Sequence, residues 1–159
     1  MFKTARCLCV ATCGARKIWS IDPDAPDYVP AKDAYVGSLS KKTIEYAKTF
    51  HPGSYVILSA KYGFLLPDEK ISDYDAYCNK NPIITIPELK KQTTEKMVND
   101  TVLKEYDKVV VIGSSCYCNW VKEVFGEDKV ECPVAGLPIG KMLQRLKEAI
   151  TSRKPLVLC

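Results

Sequence analysis

The chain has 159 residues, of which 47% are hydrophobic and 26% charged, as in ordinary globular proteins. This length predicts a single domain over residues 1–159. The net charge of +4 permits an anionic partner without requiring one, and no apolar run approaches the roughly 20 residues of a membrane span. The opening stretch MFKTARCLCVATCG is only briefly apolar, which favours a first strand over a signal peptide and a cytoplasmic location.

Strands and helices are predicted to alternate along the first half of the chain. Arg6–Ala11 has the pattern of a first strand, and the proline-rich segment after it is predicted to be irregular. A helix capped by Ser38 or Ser40 runs to about Phe50 and stops at the sequence HPG. Tyr55–Ser59 follows as the second strand.

The second half continues the alternation after an irregular segment from Pro67 to Pro87. The predicted elements are a helix from Glu88 to about Leu103, a strand at Lys108–Gly113, a helix at Tyr117–Phe125, a strand at Lys129–Pro133 and a helix opened by Pro138. The tail PLVLC is either a final strand or a docked end. Apolar strands alternating with helices predict an open, mainly parallel, Rossmann-like α/β sheet with helices on both faces. The sequence contains neither GxGxxG nor GxxxxGK[ST], which argues against dinucleotide and P-loop chemistry.

Eight cysteines are spread along the chain. Because no export signal is recognised and a chain of this length can fold without cross-links, we expect reduced thiols. The pairs Cys7-x-Cys9 and Cys116-x-Cys118 lack the C-x(2–4)-C spacing typical of structural zinc. We therefore expect neither a metal site nor an organic cofactor.

Small and polar residues follow every predicted strand: TCGARK, SAKYG, GSSCY and AGLPIGK, in chain order. Ligands of open α/β sheets bind outside the carboxyl ends of the strands, so these segments predict a pocket at that edge. The candidate binding residues there are Gly14, Arg16, Lys17, Ser59, Gly63, Ser114 and Ser115. The simpler alternative for the GSS stretch is a helix N-cap.

Cys13 allows two interpretations, as a small packing residue or as a nucleophile whose pKa Arg16 and Lys17 would lower. The chain has one histidine, His51, at the end of a predicted helix. A Cys-His dyad is therefore not expected, and His51 is interpreted as a cap residue that interacts favourably with the helix dipole.

The stretch PAKDAYVG places Lys32, Asp33 and Tyr35 within four residues, just before a predicted helix. Its simplest interpretation is a loop in which Asp33 bonds to nearby backbone. Lys61 and Tyr62 repeat the lysine and phenol at the end of the second strand, which favours a shared site.

These stretches resemble a small LSAKYGLL-signature family of uncharacterised, DUF6884-like proteins and, more distantly, the YaaA-like proteins. Besides the stretches around Cys13, Lys32 and Lys61, the matched set includes Asp68 and Tyr74. The YaaA-like patterns K-G-D-x-Y-x-G and L-S-x-x-Y-G-x-L-x-P are similar to residues 32–37, apart from one extra glycine, and to residues 58–67. Lys61 is not part of the YaaA-like pattern.

The resemblance implies a substrate class. Members of these families are tied to DNA binding, oxidative stress, base modification and phage-related settings. The segment from Cys13 to Lys17 is also loosely similar to a motif in the catalytic region of archaeosine synthase, which acts on a modified tRNA base. Together these associations imply a nucleic-acid or nucleotide partner, DNA rather than RNA, and a role in defence against phage with modified DNA.

On this basis we expect a DNA glycosylase that extrudes a modified base and cleaves its N-glycosidic bond. Asp33 would position water or stabilise the developing positive charge, with Asp68, Asp73 and Asp75 as alternative carboxylates. The other catalytic candidates are Lys61, Tyr62 and Cys13. Lys32, Lys61 and Arg16 would contact phosphates, and Tyr62 or Tyr35 would stack on the base.

Two alternatives remain. The first is a transferase that uses Cys13 as a covalent nucleophile, assisted by Lys17. The second is a non-enzymatic DNA-binding or stress protein. The oligomeric state is left open by the sequence.

Overall fold

The computed structural model describes residues 6–14 and 16–159, so Ala15 in the predicted TCGARK segment lies outside the described residues. The elements are β1 (Cys7–Thr12), β2 (Val29–Pro30), α1 (Ala31–Ala34), α2 (Ser38–Phe50), β3 (Tyr55–Ser59), β4 (Gly63–Leu65), β5 (Lys70–Ile71), α3 (Ile86–Glu95), β6 (Met97–Val98), β7 (Thr101–Val102), β8 (Lys108–Ile112), α4 (Ser115–Phe125), β9 (Val130–Glu131) and α5 (Ile139–Ser152). None of the helices in these ranges has the length and apolarity needed to cross a membrane.

A five-stranded sheet in the order β4-β3-β1-β8-β9 forms the centre of the molecule. The four strands β3, β1, β8 and β9 are parallel, and β4 is an antiparallel edge strand. The predicted mainly parallel α/β sheet is therefore confirmed. The chain steps from β1 to β3 and then crosses to β8 on the other side of β1, so the strand order reverses at β1. In open sheets, ligands bind in the crevice beside such a reversal.

Helices cover both faces of the sheet because the side chains of its strands alternate between two apolar clusters. Cys9 and Ala11 of β1 pack in one cluster with Leu146 of α5, which also includes residues of α2. Leu8 and Val10 pack in the other cluster with residues of α3 and α4. Both faces of β1 are fully buried, as its continuous apolar sequence requires.

One predicted helix is shorter than the sequence indicated. The helix expected to reach Leu103 ends at Glu95, and the chain continues as a hairpin of β6 and β7. Asn99 and Asp100 form its two-residue turn with φ values of 52° and 59°. Asn and Asp tolerate positive φ better than other non-glycine residues, and hairpin turns require it. The helical pattern did not reveal this turn.

The expectation of reduced cysteines is wrong for six of the eight. The structure pairs Cys7 with Cys159, Cys78 with Cys116, and Cys118 with Cys132, with Cα–Cα distances of 5.8, 6.0 and 6.3 Å. Cys9 and Cys13 are free and buried. Two of the disulfides join cysteines separated by 152 and 38 residues, so their pairing depends on the tertiary fold and could not be deduced from spacing.

The tail after α5 is a docked end rather than a strand. The backbone N–H of Leu156 donates to the hydroxyl of Tyr46 at 2.9 Å, and Lys108 Nζ donates to the carbonyl of Leu158 at 3.0 Å. These contacts hold the tail at the amino end of the sheet, where Lys108 begins β8.

His51 is the C-cap residue of α2, as the sequence predicted, and its backbone N–H donates to the carbonyl of Ala47 at 2.7 Å. Its side chain is buried rather than solvated. Burial lowers the pKa of His51 and favours the neutral imidazole, which weakens the predicted interaction with the helix dipole.

Candidate functional site

A group of buried and partly buried polar side chains lies at the carboxyl edge of the parallel strands. We call it the hydroxyl cluster, and it consists of Cys13, Lys17, Tyr35, Ser59 and Tyr74. The hydroxyls of Tyr35 and Tyr74 are 2.5 Å apart, and Ser59 Oγ donates to the Tyr74 hydroxyl at 2.9 Å. Ser59 ends β3, Tyr35 follows α1, and Tyr74 belongs to the irregular segment after β5. With Cys13 and Lys17, which follow β1, the cluster joins four segments that are distant in sequence.

Cys13 lies just beyond β1, and 7% of it is exposed. Burial raises the pKa of the Cys13 thiol far above its usual range, and a hydrogen bond with Tyr35 and the charge of Lys17 offset this only in part. The group is therefore a protonated thiol at neutral pH. Nucleophilic cysteines need the thiolate and some exposure, so this environment favours the packing interpretation of Cys13.

Lys17 is a buried cation, only 3% exposed. Its Nζ donates to the backbone carbonyl of Tyr74 at 2.8 Å and lies 4.3 Å from the centroid of the Tyr74 ring. Burial lowers the pKa of Lys17, while the charges of Asp73 and Asp75 act in the opposite direction. A buried charge is tolerated only when it has such partners, so Lys17 ties the segment around Tyr74 to the edge of the sheet.

Two carboxylates flank the partly buried Tyr74. Asp73 and Asp75 are exposed, whereas Tyr74 and Ala76 are turned inward. Such alternation is typical of an extended segment, in which successive side chains point to opposite sides. Asp73 and Asp75 therefore lie on the solvent side of the hydroxyl cluster, within the field of the Lys17 ammonium.

The turn after β3 presents Lys61 and Tyr62 beside the hydroxyl cluster. Ser59 Oγ accepts hydrogen bonds from the backbone N–H groups of both residues, each at 3.1 Å. The ring of Tyr62 makes an edge contact with the ring of Tyr74, with centroids 5.5 Å apart. Both Lys61 and Tyr62 remain partly exposed, so a ligand at this edge can reach them.

Tyr62 differs electrostatically from the buried tyrosines. Burial opposes its ionisation, but hydrogen bonds with Ser72 and the positive charge of Lys61 outweigh that effect and lower the pKa of Tyr62. The hydroxyl of Tyr62 is 3.0 Å from Ser72 Oγ, and Lys61 Nζ is 5.0 Å from the ring centroid. By contrast, burial raises the pKa of Tyr35 and Tyr74. Tyr62 is thus the phenol at this edge best able to exchange a proton.

The structure shows why position 63 is a glycine, which the sequence did not reveal. Its φ is +78°, and a Cβ there would overlap the side-chain amide of Gln92. That amide donates to the carbonyl of Tyr62 and accepts from the N–H of Phe64, each at 2.8 Å. Gly63 thus makes room for Gln92, which fixes the turn that carries Lys61 and Tyr62.

Four other predicted residues lie around the same edge. Gly14 donates its N–H to Ser40 Oγ at 2.7 Å. Ser114 is the N-cap residue of α4, and its side chain makes no capping hydrogen bond to the described residues. Ser114, Ser115 and Arg16 are exposed. They follow β8 and β1, the two strands that flank the reversal of strand order, and are available to a ligand there.

Lys32, Asp33 and Asp68 lie near the start of β3, and Lys32 lines one cavity with Tyr35 of the hydroxyl cluster. Lys32 Nζ forms an ion pair with Asp68 at 2.7 Å, and Asp33 is exposed on α1. The charges of all three act on Tyr55, the first residue of β3, whereas the cluster is at the last residue of that strand. The antiparallel β4 carries the chain back towards the start of β3, and this brings Asp68 to the opposite end. Since β4 was not predicted, the sequence could not separate the two groups.

Three supporting residues were missed by the sequence interpretation: Ser72, Tyr77 and Gln92. Ser72 bonds to Tyr62, Gln92 holds the turn, and the ring of Tyr77 lies 5.9 Å from Lys17 Nζ. The alternating run SDYDA was a usable signal, because it places Tyr74 on one side of the segment and the acidic side chains of Asp73 and Asp75 on the other. No local pattern marks Gln92.

Comparisons with known proteins give a family but no activity. A model described as a family of unknown function, DUF6884, matches residues 22–148. A relative from Bacillus subtilis (strain 168), called "Uncharacterized protein YfjM", is 38% identical over 154 residues, which cover 94% of this chain and 98% of the relative. No solved structure matches the chain. Tyr35, Ser59 and Tyr74 fall inside the matched range, and Cys13 and Lys17 precede it.

Proposed function

This chain belongs to the DUF6884 family of unknown function, and we propose that it is a base-processing enzyme, a DNA glycosylase that cleaves the N-glycosidic bond of a modified base. The observation that supports this proposal is one arrangement at the carboxyl edge of the sheet. There, two exposed carboxylates, Asp73 and Asp75, flank Tyr74, whose ring contacts the ring of the partly exposed Tyr62. The reversal of strand order at β1 supports a Rossmann-like sheet, in which this edge receives the ligand.

Tyr62, Lys61 and Arg16 would bind the nucleotide. An enzyme that acts on a base extrudes it from the stack, and a partly exposed aromatic ring is the usual platform for the extruded base. Tyr62 provides such a ring, held by Ser72 and Tyr74. The cations of Lys61 and Arg16 would contact the flanking phosphates, which predicts binding that weakens as salt concentration rises.

Asp73 or Asp75 would supply the catalytic carboxylate. Cleavage develops positive charge on the sugar, and a nearby carboxylate stabilises that charge and orients the attacking water. Water adds to the anomeric carbon while the base leaves with the bonding electrons and takes up the proton that the water releases. Asp33, the carboxylate favoured from the sequence, lies on α1 near the other end of β3 and is less suited to this role.

Lys17 would act as a positioning residue. Its bond to the carbonyl of Tyr74 holds the segment that carries both carboxylates. Cys13 packs inside the same hydroxyl cluster. Its burial and raised pKa disfavour the transferase alternative, which needs an accessible thiolate at that position.

The proposal is tested with a panel of DNA and RNA strands, single and double, that carry modified bases. Free base is detected by mass spectrometry and abasic sites by alkaline cleavage. We expect at least one modified DNA to release its base, and the double variant Asp73→Asn/Asp75→Asn to lower the rate by about 10²–10⁴-fold. Asp128→Asn is the matched control, because Asp128 is an exposed carboxylate in the turn after α4, before β9.

The variant Asp33→Asn tests whether Asp33, or instead Asp73 or Asp75, supplies the catalytic carboxylate. A rate like that of the Asp128→Asn control supports Asp73 and Asp75, whereas a loss as large as that of the double variant supports Asp33. If the whole panel yields neither free base nor abasic sites, the glycosylase proposal is wrong. Salt-dependent binding without any product would instead support the non-enzymatic alternative.

A further inference from the structure

Three potential metal ligands meet at the amino edge of the sheet, opposite the hydroxyl cluster. The sulfurs of Cys7 and Cys159 and one ring nitrogen of His51 all lie within 4.8 Å of one another. Cys7 begins β1, His51 follows α2, and Cys159 lies in the tail after α5. Among the described residues this is the single cluster of histidine, cysteine and acidic side chains close enough to share a metal ion.

The buried side chain of His51 lacks a hydrogen-bond partner for one ring nitrogen among the described residues. His51 is 7% exposed, and its Nε2 has no hydrogen-bond partner among the described residues. A buried polar atom without a partner costs free energy, and such an atom in a native structure calls for an explanation. A metal ion bound through Nε2 would supply the missing partner.

We propose that Cys7, His51 and Cys159 form a zinc site when the disulfide between the two cysteines is reduced, with His51 Nε2 as the nitrogen ligand. Two thiolates and one neutral imidazole are ligands that Zn²⁺ prefers, and three protein ligands leave the fourth tetrahedral position for water. The cysteine spacing of structural zinc sites is absent, because the ligands come from three separate segments of the chain.

Conversion of the disulfide into a zinc site takes two steps. A dithiol reductant donates two electrons and two protons to the Cys7–Cys159 disulfide, which becomes two thiols while the reductant becomes a disulfide. Binding of Zn²⁺ then releases the two thiol protons as two zinc–sulfur bonds form. Cys159 is exposed, so both the reductant and the metal can reach the site.

The zinc site would hold the tail against the amino edge of the sheet. The bond from the Leu156 N–H to Tyr46 and the bond from Lys108 to the Leu158 carbonyl already place the tail against the amino edge. Reduction of the disulfide therefore leaves the two sulfurs near His51, and zinc would hold the tail as the disulfide does. The same three residues would keep the tail docked in oxidising and reducing surroundings.

The test measures metal binding by the full chain. The protein is reduced with a phosphine, freed of reductant without air, and titrated with Co²⁺ and then with Zn²⁺. We expect one Co²⁺ per reduced chain, with thiolate-to-cobalt charge-transfer absorption, displacement by Zn²⁺, and no such absorption from the oxidised chain. We also expect Zn²⁺ to raise the unfolding temperature of the reduced chain.

Two ligand variants and one matched control complete the design. His51→Ala and Cys159→Ser should each weaken binding by more than the roughly 100-fold that loss of an outer-shell partner costs. Cys159 is exposed in the tail, so its substitution keeps the test valid even if the buried His51 variant fails to fold. Cys132→Ser removes a thiol from another pair and should bind cobalt normally. The proposal is overturned if the reduced chain binds no cobalt or if Cys159→Ser binds it as tightly as the parent.

Discussion

The two ends of β1 carry the same residue type in different chemical settings. At the amino end, Cys7 is joined to Cys159 and lies beside His51. At the carboxyl end, Cys13 is free and lies in a network of tyrosine, serine and lysine side chains. The difference shows that a cysteine on a buried strand has no fixed role, because its neighbours from other segments decide whether it cross-links, binds or packs.

The two ends also differ in what they contribute. A cross-link between residues 152 positions apart constrains nearly the whole unfolded chain, so the amino end stabilises the fold. The carboxyl end buries an ammonium and several hydroxyls, groups that cost free energy unless every one has a partner. Such an arrangement is a weak source of stability, which supports a functional role for that end.

The largest expected effect is at the amino end. Under oxidising conditions Cys159→Ser should lower the free energy of unfolding by about 3–5 kcal/mol, since it opens a loop of more than a hundred residues. Denaturant titration of the oxidised proteins measures this. With both proteins reduced and no metal added, the variant and the parent should have nearly the same stability. Equal stability of the oxidised proteins would show that the amino end does not stabilise the fold.

A smaller effect is expected at the carboxyl end. Lys17→Met keeps the volume of the side chain but removes the donor to the Tyr74 carbonyl, which should cost about 1–3 kcal/mol of stability. The proposed glycosylase activity should fall as well, because the segment that carries Asp73 and Asp75 loses its hydrogen bond to Lys17. Lys147→Met, at an exposed position on α5, is the control and should change stability by less than about 0.5 kcal/mol. If Lys17→Met has the stability and activity of the parent, Lys17 does not position the segment around Tyr74.

The smallest expected effect is that Tyr62, at the carboxyl end, ionises at a lower pH than the other shifted tyrosines. The pKa of Tyr62 is lowered, whereas burial raises the pKa of seven other tyrosines: Tyr35, Tyr46, Tyr55, Tyr74, Tyr77, Tyr106 and Tyr117. The absorbance of phenolate should therefore rise first from Tyr62 as pH increases, and Tyr62→Phe should remove that first step. Tyr46→Phe, at a buried tyrosine outside the site, should leave the step in place.

The sign of the associated stability change follows from the direction of the shift. Because the pKa of Tyr62 is lower in the folded chain than in the unfolded chain, its contribution to stability is gained as pH rises through the folded pKa and lost as pH falls through it. If the first phenolate step survives in Tyr62→Phe, Lys61 and Ser72 do not activate this phenol.

Much of the carboxyl edge was predictable because it depends on local order. Cys13, Lys17 and Ser59 follow the ends of buried strands, and a parallel sheet brings such ends together. Tyr35 was predicted from its neighbours Lys32 and Asp33, yet the structure places Tyr35 in the hydroxyl cluster and the other two near Tyr55. Residues close in sequence thus have different partners, while Lys32 and Tyr35 still line one cavity.

The sequence by itself determined the parallel sheet, the positions of its four parallel strands and the set of strand ends that form the candidate site. These features follow from apolar runs, glycines and prolines within a few residues of one another. Only the tertiary structure decided which cysteines pair, which carboxylates flank Tyr74 and which ligands meet at His51. Those choices depend on contacts between segments far apart in the chain, and such contacts leave no local pattern in the residues that make them.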